Sequence, residues 1–316
     1  MRPLAAGVVL ALFAPALAGC LAPPAALDAP DAPRTVTFRG ARVETALGSF
    51  TLVLYPEAAP KTVANFEDLA RRGFYDGTLF HRVVRHFVIQ GGDPTGTGQG
   101  GSDATVPLET NASYFFSAGA LGMARDLDPD SATSQFFVCE FPQPHLKDPK
   151  GAVSEAYGRF TVFGQVVEGM EVVRAIGRVA TWPALDRPRE DIPMKVSLVD
   201  VVLPEETARD LPLRTLGRFA KDGVRSTLEL PRALVAEREA RVAWYVDAED
   251  GAPPRGLALK ATPPEGPSVT TTLAPAPDDP GVLSARVAFA TPGTWRLALV
   301  DGGRHLAEAD VEVEPA

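Results

Sequence analysis

Cysteine is almost missing from this chain: Cys20 and Cys139 are the only two among 316 residues. With Cys20 in a leader-like N-terminus, no disulfide framework can be built. Histidine is nearly as scarce. His81, His86, His145 and His305 are scattered, without the short spacings of a ligand set, so no metal site is expected. No cofactor is expected either. Positive charge is in deficit, and the formal net charge is −9. Such a chain has no electrostatic hold on a phosphate backbone, so nucleic acid is not an expected partner. Long apolar runs are lacking as well. The stretch Leu4–Leu17 is shorter than the ~20 residues that a membrane-spanning helix needs.

What the chain has in plenty is proline and glycine, 30 and 28 residues. They favour sheets joined by many turns over long helices. A hydrophobic share of 45% against 22% charged residues predicts packed cores, and the length suits two domains. The N-terminus reads as an address. Arg2 precedes the apolar run, and small residues lead into a cysteine, which is the architecture of a secretory signal over residues 1–20. The ending Leu17-Ala18-Gly19-Cys20 looks like a prokaryotic lipobox. It implies lipid attachment at Cys20, a membrane anchor, and an extracytoplasmic location on the periplasmic or cell-surface side. The Ala/Pro-rich stretch 21–34 is read as an extended tether.

From residue 35 the pattern is mainly β. Val36, Phe38, Val43, Phe50, Leu52 and Leu54 alternate around Gly48-Ser49, which predicts a hairpin. Ala59-Pro60-Lys61-Thr62 opens a helix with Val63, Phe66, Leu69 and Ala70 on one face. A second helix is predicted from Gly169 to Ile176, and Val196–Leu203 closes the region as a strand. Many strands with a helix near each end suit a closed barrel capped at both mouths. Residues 204–220 are mixed and charged and read as a linker. Residues 221–316 show short strands at regular intervals, among them Ser226–Leu230, Arg241–Val246, Leu257–Ala261 and Thr294–Val300. That spacing predicts a β-sandwich, and Pro292-Gly293-Thr294-Trp295 is similar to a late hairpin of immunoglobulin-like modules.

The informative stretch is Phe80-His81-Arg82-Val83-Val84-Arg85-His86-Phe87-Val88-Ile89-Gln90-Gly91-Gly92-Asp93, answered downstream by Ser134-Gln135-Phe136-Phe137-Val138. With the helix start at Ala59–Phe66, the run Tyr75–Arg82 and Val162-Phe163-Gly164, the segment 36–203 resembles the cyclophilins, which isomerise peptide bonds preceding proline. The resemblance implies a closed eight-stranded β-barrel capped by two helices over 35–203. It also implies binding of proline-containing polypeptides.

Rotating a prolyl amide crosses a barrier of about 18–20 kcal/mol, because it destroys amide resonance. The catalyst must hold the ring and the preceding carbonyl, and stabilise a twisted amide whose nitrogen has regained a lone pair. A guanidinium is always charged and has a rigid fork of donors. By resemblance Arg82 has that role, with Phe87 and Gln90 completing the catalytic set. Val88, Phe137 and Leu146 would form the proline pocket, while Gln135 and the Ala124-Arg125 backbone would bind the substrate as an extended strand. His81 is expected to be a structural, hydrogen-bonded histidine and Phe136 ordinary core. Departures from the family pattern crowd the groove. Arg125 stands where asparagine is usual, His145 where many members have tryptophan, Phe160 where histidine or tyrosine is common, and Val88 where methionine is usual. The resemblance therefore leaves cyclosporin binding open. Lys147–Tyr157 reads as an inserted loop on the rim. Two rival readings stand beside the enzyme: a barrel that binds prolyl peptides without turnover, and a surface adhesion or docking protein acting through residues 221–316.

Overall fold

The computed structural model describes residues 34–146, 160–221, 224–248, 256–276 and 279–316. The predicted signal peptide, Cys20, nearly all of the tether and the inserted loop at 147–157 lie outside the described residues. No described helix is long and apolar enough to cross a membrane.

The first half contains β1 (Thr35–Thr45), β2 (Gly48–Leu54), α1 (Pro60–Arg71), β3 (Arg82–Val84), β4 (Val88–Gly91), β5 (Ala120–Met123), β6 (Phe136–Cys139), β7 (Val162–Glu168) and α2 (Met170–Gly177). The short pair β8 (Thr181–Trp182) and β9 (Arg187–Pro188) then leads to β10 (Lys195–Pro204). One antiparallel sheet collects eight of these strands in the order β10-β1-β2-β7-β5-β6-β4-β3. Its inner face holds Phe50, Leu52, Phe80, Ile89, Leu121, Phe136, Val138 and Phe163, packed on Val63, Phe66 and Leu69 of α1. Phe66 sits at the centre, with ring centroids 5.2 Å from Tyr75, 5.7 Å from Phe136 and 5.5 Å from Phe163.

Helix α1 starts with Pro60 in its first turn, where a missing N–H costs nothing. Its N-cap, Ala59, has no side-chain oxygen to offer. Glu109 does that task from a distant loop. Its carboxylate accepts from the backbone N–H of Lys61 (3.1 Å) and Thr62 (2.8 Å) and from the Thr62 hydroxyl (2.8 Å). A carboxylate at a helix N-terminus satisfies orphan donors and complements the dipole.

The closed barrel expected from the sequence is not what the ladders show. Among the described residues no ladder pairs β3 with β10, the two ends of the sheet. The segment before β3 spans the gap instead. Leu79 makes isolated bridges to Asp93 and Pro193, Gly77 N–H donates to Met194 O (2.8 Å), and Phe80 N–H donates to Ile192 O (3.0 Å). Residues 204–220 also differ from the reading of a linker. They contain α3 (Glu205–Asp210) and most of β11 (Arg214–Lys221).

The rest of the chain comprises β12 (Val224–Leu230), β13 (Leu234–Val235), β14 (Arg238–Ala248), β15 (Leu257–Thr262), β16 (Val269–Thr272), β17 (Ala274–Ala276), β18 (Asp279–Phe289), β19 (Gly293–Asp301) and β20 (Arg304–Glu314). These strands and β11 make two five-stranded sheets, ordered β11-β12-β14-β18-β17 and β13-β20-β19-β15-β16. Both contribute to one core, with Leu228, Trp244 and Phe289 from the first sheet and Leu259, Leu297 and Val311 from the second. Residues 35–316 form one compact unit, without a break at 204–220.

Candidate active site

The site grows from the strand pair β4–β6. In that ladder Val88 lies opposite Cys139, Ile89 opposite Val138, and Gln90 opposite Phe137. Side chains alternate across a strand, and the alternation sorts them cleanly. Ile89, Phe136 and Val138 enter the main core. Val88, Phe137 and Cys139 face the other way, into a second cluster with Phe116, Leu146 and Val162. Strand β3 places Arg82 opposite Gln90 on the sheet's outer face.

That outer face carries a cavity of about 450 Å³, lined by Arg82, Phe87, Val88, Gln90, Ala124, Arg125, Phe137, His145, Leu146 and Phe160. Every catalytic and binding residue named from the sequence lines it, with the exception of Gln135 and, outside the described residues, Cys20. Gln135 stands beside it, along a polar hollow shared by Gln90 and the loop Gly98–Gly101. The apolar end is built from rings. Phe137 is flanked by Phe116 at 5.7 Å, nearly parallel, and by Phe160 at 5.6 Å, edge-on. His145 stacks on Phe87 at 5.8 Å. Gly122 of β5 lies directly behind Phe137. A Cβ there would fall 2.2 Å from the ring's Cζ, so the ring can lie flat only over glycine.

Arg82 is held from two sides. Its Nη1 donates to Gln90 Oε1 at 3.4 Å; Gln90 Nε2 donates to Gln135 Oε1 at 3.0 Å. Gln135 Nε2 donates onward to the carbonyls of Gly98 (3.1 Å) and Gly100 (2.7 Å). On the other side the Asp186 carboxylate lies 3.6 Å from Arg82 Nε, both groups being partly solvated. The turn that carries Asp186 is itself tied to β3, since Val83 N–H donates to Asp186 O at 2.7 Å. The guanidinium carbon is 5.9 Å from the centre of the Phe87 ring. The fork is thus oriented and still open to the cavity.

The glycine loop beside the site is organised by one buried carboxylate. Asp93 accepts from the backbone N–H groups of Thr95 (2.7 Å), Thr97 (3.1 Å), Gly98 (2.6 Å) and Gly100 (3.1 Å), and from the Thr95 hydroxyl (2.8 Å). Burial alone would raise its pKa; the donors outweigh burial and bring it down to about 2. Arg125 folds across the rim. Its guanidinium lies 5.0 Å from the Phe160 ring centre and donates to the carbonyls of Asp126 and Leu127. His81 is buried as expected, with the Leu79 backbone, the Asp93 carboxylate and Gly98 around its ring. Desolvation lowers its pKa, against the pull of the Asp93 charge, which keeps the ring neutral.

Two contributors leave no mark in the sequence, and a third leaves one. Asp186 lies far along the chain from Arg82, and nothing local marks it. Gly122 carries no motif; only its register opposite Phe137 reveals its role. Asp93 was visible as the end of Gln90-Gly91-Gly92-Asp93, and the glycines and threonines after it were the available signal for a carboxylate-centred loop.

Comparison with known proteins places the first half of the chain in a family. The model of the family described as "Cyclophilin type peptidyl-prolyl cis-trans isomerase/CLD" matches residues 41–198. The chain is 42% identical over 168 residues to peptidyl-prolyl cis-trans isomerase-like 1 of Neurospora crassa, covering 52% of this chain and 94% of that protein. It is 51% identical over 122 residues to peptidyl-prolyl cis-trans isomerase B of Bacillus subtilis, covering 38% of this chain and 78% of that protein. A crystal structure of a Cryptosporidium parvum cyclophilin-type isomerase aligns with a TM-score of 0.46 at 28% identity, over 51% of this chain and 98% of that one. With a family model matched over half of the chain and a 42% identical relative covered to 94% of its length, this chain belongs to the cyclophilin-type peptidyl-prolyl cis-trans isomerases.

Proposed function

We propose that isomerisation in this protein is driven by Arg82 acting on a proline ring seated against Phe87, Val88, Phe137 and Leu146. The observation that carries the reading is the row Arg82–Gln90–Gln135, hydrogen-bonded side chain to side chain and anchored on the glycine loop. It holds the guanidinium before substrate arrives, so no reorganisation is needed as the amide twists. The ring pocket grips planar and twisted amides alike. The guanidinium favours the twisted one, whose pyramidal nitrogen can accept a hydrogen bond. No nucleophile and no proton transfer are required, which suits the neutral, inaccessible His81 and the buried Cys139. The Ala124-Arg125 backbone just past β5 is the partner for the residue preceding proline in this proposal. Arg125 over Phe160 narrows that side of the groove.

The clients in this proposal are extracytoplasmic polypeptides. The reading rests on the lipobox-like Leu17-Ala18-Gly19-Cys20 and the Ala/Pro-rich tether that follows it. In the same proposal the two C-terminal sheets form an immunoglobulin-like sandwich. Labelled palmitate should enter the wild-type protein in its host and not the Cys20→Ala variant; equal labelling of both contradicts the anchor. For the isomerase, a protease-coupled or NMR-exchange assay on a prolyl peptide should give a rate well above background. Loss of one positioned charge donor of this kind commonly costs about 10²–10³-fold. A wild-type rate no faster than the uncatalysed reaction would leave only a peptide-binding module.

A further inference from the structure

We propose that the C-terminal sheets position the proline pocket: Tyr245 of β14 holds the Phe141 ring against His86, and so fixes the left-handed backbone that presents Phe87. The proposal rests on the reading that Phe87 lines the substrate site. His86 has a φ of 59°, in the left-handed region that only a few per cent of non-glycine residues occupy, histidine more often than most. Such a backbone persists only where its surroundings over-determine it. The surroundings here are explicit. His86 N–H donates to Glu140 Oε2 at 2.5 Å, Gln143 Nε2 donates to His86 O at 2.9 Å, and the His86 ring packs on Phe141 at 4.7 Å. The next residue is gripped by the same segment, since Glu140 N–H donates to Phe87 O at 2.9 Å.

The far side of that segment packs on strands β14 and β18. Phe141 meets Tyr245 edge-on at 5.4 Å, and both are buried in one apolar cluster with Ala118, Ala243 and Val282. Tyr245 is itself fixed, its hydroxyl donating to Glu229 Oε1 at 3.1 Å while Glu229 Oε2 accepts from Ala118 N–H at 2.9 Å. A continuous set of contacts therefore runs from β12 and β14 through Phe141 to His86 and Phe87. Without it, His86 has less to oppose its return to an ordinary backbone, and Phe87 follows its neighbour.

The test measures kcat and KM of the full-length protein on a prolyl peptide, with Tyr245→Ala in the wild-type and in the His86→Gly backgrounds. Glycine adopts a left-handed backbone without strain, so it removes the need for the brace. Tyr245→Ala should raise KM about tenfold with little change in kcat, because the ring pocket binds ground and transition states alike. In the His86→Gly background the same substitution should cost less than about twofold. Near-UV circular dichroism establishes that each variant is folded. Should Tyr245→Ala not fold, Phe141→Leu keeps apolar volume, removes the flat ring and carries the same expectation. Equal losses in both backgrounds, or no loss in a folded variant, overturn the proposal. Phe87→Ala in the same assay separates the two claims. If it leaves KM unchanged, the pocket assignment fails; if it raises KM while Tyr245→Ala does not, only the positioning role fails.

Discussion

Adding a single methyl group behind the pocket should disable it. In Gly122→Ala the new Cβ would lie 2.2, 2.4 and 2.8 Å from three carbons of the Phe137 ring. Carbon atoms pack at about 3.5–4.0 Å, so the ring must retreat by more than ~1 Å. Phe116 and Phe160 flank the ring. The space left open to it is the 450 Å³ cavity itself, so the ring fills the place meant for proline. Overpacking of this kind costs about 1–3 kcal/mol of stability, and a displacement near 1 Å in a site can cost about 10²-fold in rate. Isomerase kcat/KM should therefore fall by about 10- to 100-fold, with a modest loss in thermal midpoint. Adding Phe137→Leu to Gly122→Ala should recover stability, since the smaller side chain relieves the clash, without restoring full activity. A Gly122→Ala protein with wild-type kinetics and wild-type thermal stability would refute the account of how Phe137 is seated.

The glycine loop should be acid-sensitive. The pKa of Asp93 is depressed to about 2 in the fold, so its contribution is fully present above the unfolded value near 4 and is lost as pH falls toward 2. About 2 kcal/mol is at stake, and Asp93→Asn should remove most of this pH dependence from urea titrations between pH 2 and 4. Where β12 meets Ala118, burial raises the Glu229 pKa against the pull of Ala118 N–H and Arg241. A carboxylate with a raised pKa loses stabilising effect as pH rises through the interval between its unfolded and folded values. Glu229→Gln can still accept from Ala118 N–H while its amide donates to the Tyr245 oxygen. It should be neutral or stabilising at pH 7, whereas Glu229→Ala strands two buried donors and should cost about 2–4 kcal/mol. A thermal midpoint for Glu229→Gln as low as that of Glu229→Ala would contradict this.

Much of the first domain is written in local pattern. The hairpin β1–β2, the start of α1 at Pro60 and the strand β10 follow from alternation, helical spacing and turn residues. The site was legible for a different reason: Arg82 and Gln90 fall on two short paired strands and Phe87 on the turn that joins them, so sequence neighbours become site neighbours. Contributions that cross long loops left no such trace. Asp186 reaches Arg82 from a later turn, Glu109 caps a helix nearly fifty residues earlier, and Gly122 acts through register alone. The segment 204–220 has the charged composition of a linker, while burial of Thr215 and pairing with β12 make part of it a strand. The left-handed backbone at His86 has only a weak mark in the sequence, since histidine is modestly enriched in that region.

The central claim is that a forked, pre-oriented guanidinium at position 82 stabilises the twisted amide. Arg82→Lys keeps the charge and removes the fork, so it tests orientation rather than charge. The decisive measurement is kcat on a prolyl peptide by NMR exchange for wild type, Arg82→Lys and Arg82→Ala. The account predicts that both variants fall at least about 10²-fold below wild type, with KM nearly unchanged. Wild-type kcat in the Arg82→Ala protein would contradict it.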